Sequence, residues 1–227
     1  MTTTLGRPRL HLRVTTSTND RARALAQNGA PHGTLVTAGE QHAGRGRQGR
    51  TWSAPPGRAL LLSLVVRDPP ALLPLAAALA VAEVAGPGAQ IKWPNDVLVS
   101  GRKVAGILAE GRPHEGWAVL GIGVNVALRV EELPAELHAT AGTLGLTPAD
   151  LEPTLGRLLA ALERALALGN AALLDAYRDR DALRGREVAW DGGRGIGAGV
   201  DGAGRLVVQL PGGGRTALSA GEVHLAG

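Results

Sequence analysis

Glu40–Trp52 reads EQHAGRGRQGRTW, with Arg45, Arg47 and Arg50 interleaved with Gly44, Gly46 and Gly49. From Gln41 to Arg67 there is no acidic residue, so the stretch is locally cationic. Its glycines can take positive φ and let backbone approach a ligand closely. Its arginines present planar forks of donors matched to phosphate or carboxylate. Gly/Arg-rich segments are most often solvated surface loops. Here two regularly spaced Gly-Arg pairs, bounded by Gln41 and Trp52, read instead as a loop that folds over a small anionic ligand. It is not a Walker A loop, which ends in Gly-Lys-Ser/Thr, and it does not open a helix as a dinucleotide fingerprint must. Working outward, Gly33–Ala38 reads as a strand leading into the loop. Beyond it, Ala59–Val66 (ALLLSLVV) is a continuous apolar strand, buried on both faces.

Arg9–Val14 alternates as a short strand, and Thr15–Thr18 offers hydroxyl caps to a helix over Asn19–Gln27 that Asn28-Gly29 closes. Ala71–Ala85 predicts an Ala/Leu helix ended by Gly86-Pro87-Gly88, and Gln90–Lys92 leads into Trp93-Pro94, where Pro94 interrupts the strand. Val97–Val99, Ser100-Gly101 and Lys103–Glu110 read as a hairpin. Trp117–Val126 is a strand whose Gly121 and Gly123 leave one face bare. Leu151–Leu168 and Ala171–Leu183 predict helices. After Gly185, short runs (EVAW, LVVQL, TAL, EVHL) divided by DGG, DGAG and PGGG predict a small antiparallel barrel or sandwich. The chain is thus divided near Arg184, into 1–184 and 185–227.

The 227 residues suit one sizeable domain with a small appendage. With four Trp, one Tyr and no Phe, the core must be aliphatic. The net charge of +4 and pI near 10.5 permit an acidic partner, but both signs are spread along the chain and no basic groove with interleaved aromatics is present. Zero cysteines exclude disulfides, a thiolate nucleophile and zinc-finger spacing. The start, MTTTLGRPRL, lacks the apolar core of a signal peptide. Pro70–Gly86 is too short for a membrane span and carries Pro74 and Glu83. A cytoplasmic protein without membrane or DNA contact is the expectation.

Three further motifs bear on chemistry. Lys92-Trp93-Pro94-Asn95-Asp96 is a turn with a core tryptophan by itself. Beside the cationic loop it could present Asn95 and a carboxylate, Asp96, that holds Mg²⁺ or orients a lysine. In Gly101–Leu108, alternation places Lys103 on the face of Ala105 and Ile107, where a lysine is either an anomaly or a ligand contact, and Gly106 lets a flat ligand reach the strand. Asn125 closes GIGVN, either as a strand-end turn residue or as a hydrogen-bonding partner for a base or ribose.

Ser17-Thr18-Asn19, EQxAGRGRxGRxW, KWPND, GRKVAGILAE and GIGVN occur in this order, and together they closely resemble the biotin protein ligases, strongly over residues 9–130 and weakly over 186–227 through Ala220-Gly221-Glu222-Val223. The resemblance implies an α+β fold: a mixed-sheet catalytic domain similar to class II aminoacyl-tRNA synthetases, followed by a small SH3-like barrel. It implies activation of biotin with ATP and Mg²⁺ to biotinyl-5′-AMP, then transfer to one lysine of the biotin carboxyl carrier domain of acetyl-CoA carboxylase. Homodimers are common in the family. Carried onto this chain, Ser17, Thr18, Asn19 and Gln41 would meet biotin's ureido head. Gly44, Arg45, Gly46 and Arg47 would close over biotin and the adenylate, and Gly106 would border the biotin. Trp52 would pack near adenine, and Lys92, Asn95, Asp96 and Asn125 would line the nucleotide side. Lys103 would reach the biotin carboxylate and α-phosphate, with Arg45 and Asp96 completing the catalytic set and Asp96 the Mg²⁺ contact. Because the likeness begins almost at the amino terminus, a ligase that does not repress transcription is expected. Where some members carry a basic residue near the carboxy terminus this chain has Ala226, which argues against a catalytic tail. A lipoate ligase is the chemical rival, opposed by Ser17–Asn19 and Gln41. A non-catalytic binder is opposed by Arg45, Asp96 and Lys103.

Overall fold

The computed structural model describes residues 4–112 and 115–225; Ala226 lies outside them. Its larger sheet has seven strands: β1 (Arg9–Leu12), β2 (Leu35–Ala38), β3 (Ala59–Arg67), β4 (Ala89–Lys92), β5 (Asp96–Val99), β6 (Arg102–Arg112) and β7 (Trp117–Asn125). They run in the order β1-β2-β3-β7-β6-β5-β4. β1 and β2 are parallel and the remaining pairs antiparallel, so the fold is α+β with a large mixed sheet. The helices are α1 (Thr18–Gln27), α2 (Leu73–Ala85), α3 (Leu151–Ala167) and α4 (Asn170–Arg178). A second, antiparallel sheet of five strands follows: β8 (Glu187–Trp190), β9 (Gly193–Val200), β10 (Leu206–Gln209), β11 (Arg215–Leu218) and β12 (Val223–Leu225), in the order β11-β10-β9-β8-β12.

Strand alternation assigns the two faces of the large sheet. Leu60, Leu62, Leu64 and Val66 of β3, with Leu120, Ile122 and Val124 of β7, join α2 and α3 in one aliphatic core. Burying each such side chain contributes about 1.5–3 kcal/mol before entropy is counted. α2 is rich in alanine and buried on nearly every side, because small side chains let it lie between sheet and α3. On the opposite face, Val65 and Val119 pack against Ala22 and Ala26 of α1. At the start of α1 the Asn19 amide lies on Gly121 of this face, and beyond it Gly123 is met by Trp52 of the loop rather than by a helix. A helix-free half of a sheet, floored by glycines, is where a ligand can lie.

Two expectations about the elements change. The second carboxy-terminal helix stops at Arg178 rather than Leu183, because the chain leaves it to satisfy the edge strand β4: Ile91 N–H donates to Arg180 O at 2.7 Å and Ala182 N–H to Ile91 O at 2.9 Å. The β5–β6 hairpin turns at Ser100 (φ 50°) and Gly101 (φ 75°), as a two-residue turn requires. Its register then shifts between Val97 and Leu98, giving β6 one extra residue. The second sheet is tied to the first through Trp93, whose indole N–H donates to Gly204 O at 3.0 Å. Among the described residues no helix is long and apolar enough to cross a membrane.

Candidate active site

A cavity of about 530 Å³ opens over the uncovered half of the sheet and brings the sequence motifs together. At one end stand Ser17, Thr18 and Asn19, at the start of α1. Hydroxyl capping was expected here, but the Ser17 side chain makes no cap bond. Instead Gln41 Oε1 accepts from Thr18 N–H at 2.7 Å and from the Thr18 hydroxyl at 3.0 Å. The first turn is therefore closed by a side chain from the cationic segment, which leaves the Gln41 NH₂ as a donor for a carbonyl. Ser63 Oγ stands 2.8 Å from Thr18 Oγ1 and 2.6 Å from Asn19 Oδ1. A hydroxyl has one proton, so one of those acceptors keeps capacity for an outside N–H.

The floor is β6 and β7. A methyl on Gly121 would collide with the Asn19 amide, and one on Gly123 with the Trp52 indole; at Gly106 it would come 2.9 Å from the same indole. The flat group lying on the bared strands is thus Trp52 itself, with Lys103 Nζ 5.7 Å from its ring centre. Trp52 Nε1 and Asn125 Oδ1 are buried without hydrogen-bond partners, while Asn125 Nδ2 donates to Gly142 O at 2.8 Å. One donor and one acceptor are therefore unmatched on this side.

Lys103 does not share a face with Ala105 and Ile107. The extra residue in β6 breaks the alternation and turns Lys103 to the cavity side with Gly106, while Val104, Ala105 and Ile107 stay in the core. Lys103 Nζ lies 2.7 Å from Asp96 Oδ1. Its backbone is pinned by the 140–142 segment: Lys103 N–H donates to Thr140 O at 2.7 Å, and Lys103 O accepts from Gly142 N–H at 2.8 Å. Arg47 donates to Asn95 Oδ1 at 3.2 Å and to Gly221 O at 3.4 Å. Arg50 pairs with Glu222. Burial lowers the pKa of Lys92, partly opposed by Asp96 and reinforced by Lys103 and Arg50; burial likewise lowers that of Arg47. Arg47, Arg50, Lys92 and Lys103 thus face Asp96 and Glu222, an excess of positive charge in a partly desolvated cleft that favours a polyanion.

The loop is a small hairpin. Trp52 N–H donates to Gly44 O at 2.9 Å and Gly46 N–H to Arg50 O at 2.7 Å, and the tip turns at Gln48 (φ 54°) and Gly49 (φ 74°). Gly46 and Arg47 line the cavity; Gly44 does not, and serves instead to let the Trp52 carbonyl close against it. Arg45 lines the cavity but is paired with Asp20 at 2.8 Å and Glu110 at 3.0 Å, so its charge is neutralised by protein. For a metal, Asp96 stands alone: among the described residues no three His, Asp or Glu side chains converge. The site by itself does not fit a protein-held ion, which would need several oxygen ligands.

Sequence reading missed Ser63, Glu110, the wall formed by Leu133, Leu137 and Thr140, and the second sheet's Gly221–Leu225 edge. Ser63 carried a signal as the one polar residue in an apolar strand, while Glu110 and Gly221–Val223 lie in the GRKVAGILAE and AGEV runs, where no role was assigned to them.

The profile of the biotin/lipoate A/B protein ligase family matches residues 11–126. The biotin–[acetyl-CoA-carboxylase] ligase of Mycobacterium tuberculosis is 39% identical over 235 residues, covering 93% of this chain and 86% of that protein. Its counterpart from Paracoccus denitrificans is 37% identical, covering 94% and 98%. The bifunctional ligase/repressor BirA of Bacillus subtilis is 40% identical over 155 residues, 63% of this chain. The match spans about half, 48%, of the length of the Bacillus relatives. Among solved structures, Aquifex aeolicus biotin protein ligase in complex with biotin and ATP superimposes with a TM-score of 0.83 at 26% identity, covering 97% of this chain and 100% of that one.

Proposed function

The chain belongs to the biotin/lipoate A/B protein ligase family, and from that premise we propose that it activates biotin with ATP to biotinyl-5′-AMP and passes biotin to a lysine of the carboxyl carrier protein of acetyl-CoA carboxylase. The observation that carries this reading is the single cavity joining a hydrogen-bonding end, a glycine floor and a cationic end. A cyclic urea offers two N–H donors and one carbonyl. The Ser63–Thr18–Asn19 network has a spare acceptor, and Gln41 has a spare NH₂. A lipoyl dithiolane has neither group and would leave them unmatched. The unmatched Trp52 N–H and Asn125 Oδ1 suit a purine bearing both an acceptor nitrogen and an amino group.

In the first step a carboxylate oxygen of biotin bonds to the α-phosphorus and the bond to the pyrophosphate oxygen breaks. Two anions must meet, and Lys103, oriented by Asp96, lowers that repulsion and stabilises the developing charge. Arg47 and Lys92 receive the departing phosphates. Mg²⁺ would enter only as a companion of the triphosphate and would offset its charge, with Asp96 the one cavity-lining carboxylate of the KWPND turn that could face it. In the second step the carrier lysine's neutral amine attacks the acyl carbon, AMP leaves, and the amine's proton passes to solvent. The loop over the cavity shields the mixed anhydride from water. The same reading includes a cytoplasmic location, division at residue 184, a first domain similar to class II aminoacyl-tRNA synthetases and an SH3-like second sheet. Lys103→Ala tests it: biotin-dependent pyrophosphate release should fall at least about 100-fold with an unchanged melting temperature. Normal release from that variant would remove Lys103 from the reaction.

A further inference from the structure

Four charged side chains close a ring beside the cavity. Arg45 of the loop pairs with Asp20 of α1 at 2.8 Å and with Glu110 of β6 at 3.0 Å. Arg23, three residues along α1 from Asp20, pairs with the same two carboxylates at 3.2 and 2.9 Å. Charges alternate around the ring, so each ion touches two of opposite sign. Glu110 also accepts from Asn19 Nδ2 at 2.9 Å, so one carboxylate binds the helix, the loop and the amide lying over Gly121. A single exposed ion pair contributes little, whereas shared, partly sheltered networks count for more. Here the inner members are the sheltered ones: the Glu110 side chain is 24% exposed and that of Arg23 28%, against 41% for Arg45.

Resting on the ligase reading above for its consequence, we propose that Glu110 is a positioning residue. Through the ring with Asp20 and Arg23 it pins Arg45, holds the first limb of the loop closed over the cavity, and so retains the activated intermediate. Glu110 and Arg23 act through Arg45 and Asn19, not on the ligand. The second limb is held independently, by Arg47 on Asn95 and Arg50 on Glu222. Loss of Glu110 therefore loosens the loop without dismantling the site.

Glu110→Gln, which keeps an acceptor but removes the charge, is compared with Glu110→Asp and the parent chain. In the ligand-free protein, amide hydrogen exchange across residues 42–52 should rise about tenfold in Glu110→Gln, with β7 unaffected. Intermediate formed in the site should escape about tenfold faster, read as biotinylation of an added bystander protein, while pyrophosphate release at saturating substrate changes less than about threefold. Glu110→Asp should recover most of both losses. Parent-like loop exchange in a folded Glu110→Gln variant, or equal losses in Glu110→Asp, would overturn the proposal. Should Glu110→Gln not fold, Arg23→Gln opens the ring from its far side and must loosen the same amides. If the parent releases no biotin-dependent pyrophosphate, the ligase reading fails, and the exchange measurement alone decides the ring.

Discussion

Gly123 faces the Trp52 indole so closely that a methyl group cannot be added without moving the ring. Gly123→Ala should therefore shift the indole, change tryptophan fluorescence and weaken biotin binding about tenfold. Alanine is otherwise the better strand residue, so melting should hold steady. Unchanged affinity would mean that Trp52 and its glycine floor lie outside the binding path. At this scale much was legible: the STN triplet, Gln41, KWPND and GIGVN all converge on one cavity. What sequence alone misplaced was Lys103. Period-two alternation carries no sign of a bulge, and the extra residue of β6 reverses the face of every side chain before it. Glu110 was equally hidden, since its three partners come from α1 and from the loop.

Elements were legible where a local pattern governs, as in the apolar β3 or the Ser100-Gly101 turn, and illegible where a distant backbone competes. α4 ends early because Arg180 and Ala182 are needed by β4. That junction contains two polar atoms, Tyr177 OH and Asp181 Oδ2, that are buried without hydrogen-bond partners. Burial raises the Asp181 pKa, opposed by backbone N–H bonds from Leu183 and Arg184. A carboxyl whose folded pKa is raised contributes stability below its unfolded pKa, and that contribution is lost as pH rises through the folded value. Asp181→Asn keeps the acceptor used by Leu183 N–H and removes the charge. It should raise the melting temperature at pH 7 by about 2–4 °C, with the gain shrinking toward pH 4. A gain that grew on acidification, or a loss at neutral pH, would show that the ionised carboxylate is what the junction requires.

At the scale of the whole molecule, the cavity is a joint product of both sheets. Gly221 and Glu222 at the edge of the second sheet meet Arg47 and Arg50 of the loop, and Trp93 binds Gly204 from the other side. The sequence announced a small β unit after Gly185 through its glycine-rich turns, but not its contact with the loop, which depends on packing between segments some 170 residues apart. On the proposed reading, this one cavity takes biotin and a nucleotide side by side. Calorimetric titration of the intact chain with biotin, and separately with lipoate, each with and without a non-hydrolysable ATP analogue and Mg²⁺, tests it most directly. Biotin should bind, lipoate should not, and biotin should tighten binding of the analogue. Preference for lipoate, or binding of neither acid, would contradict that reading.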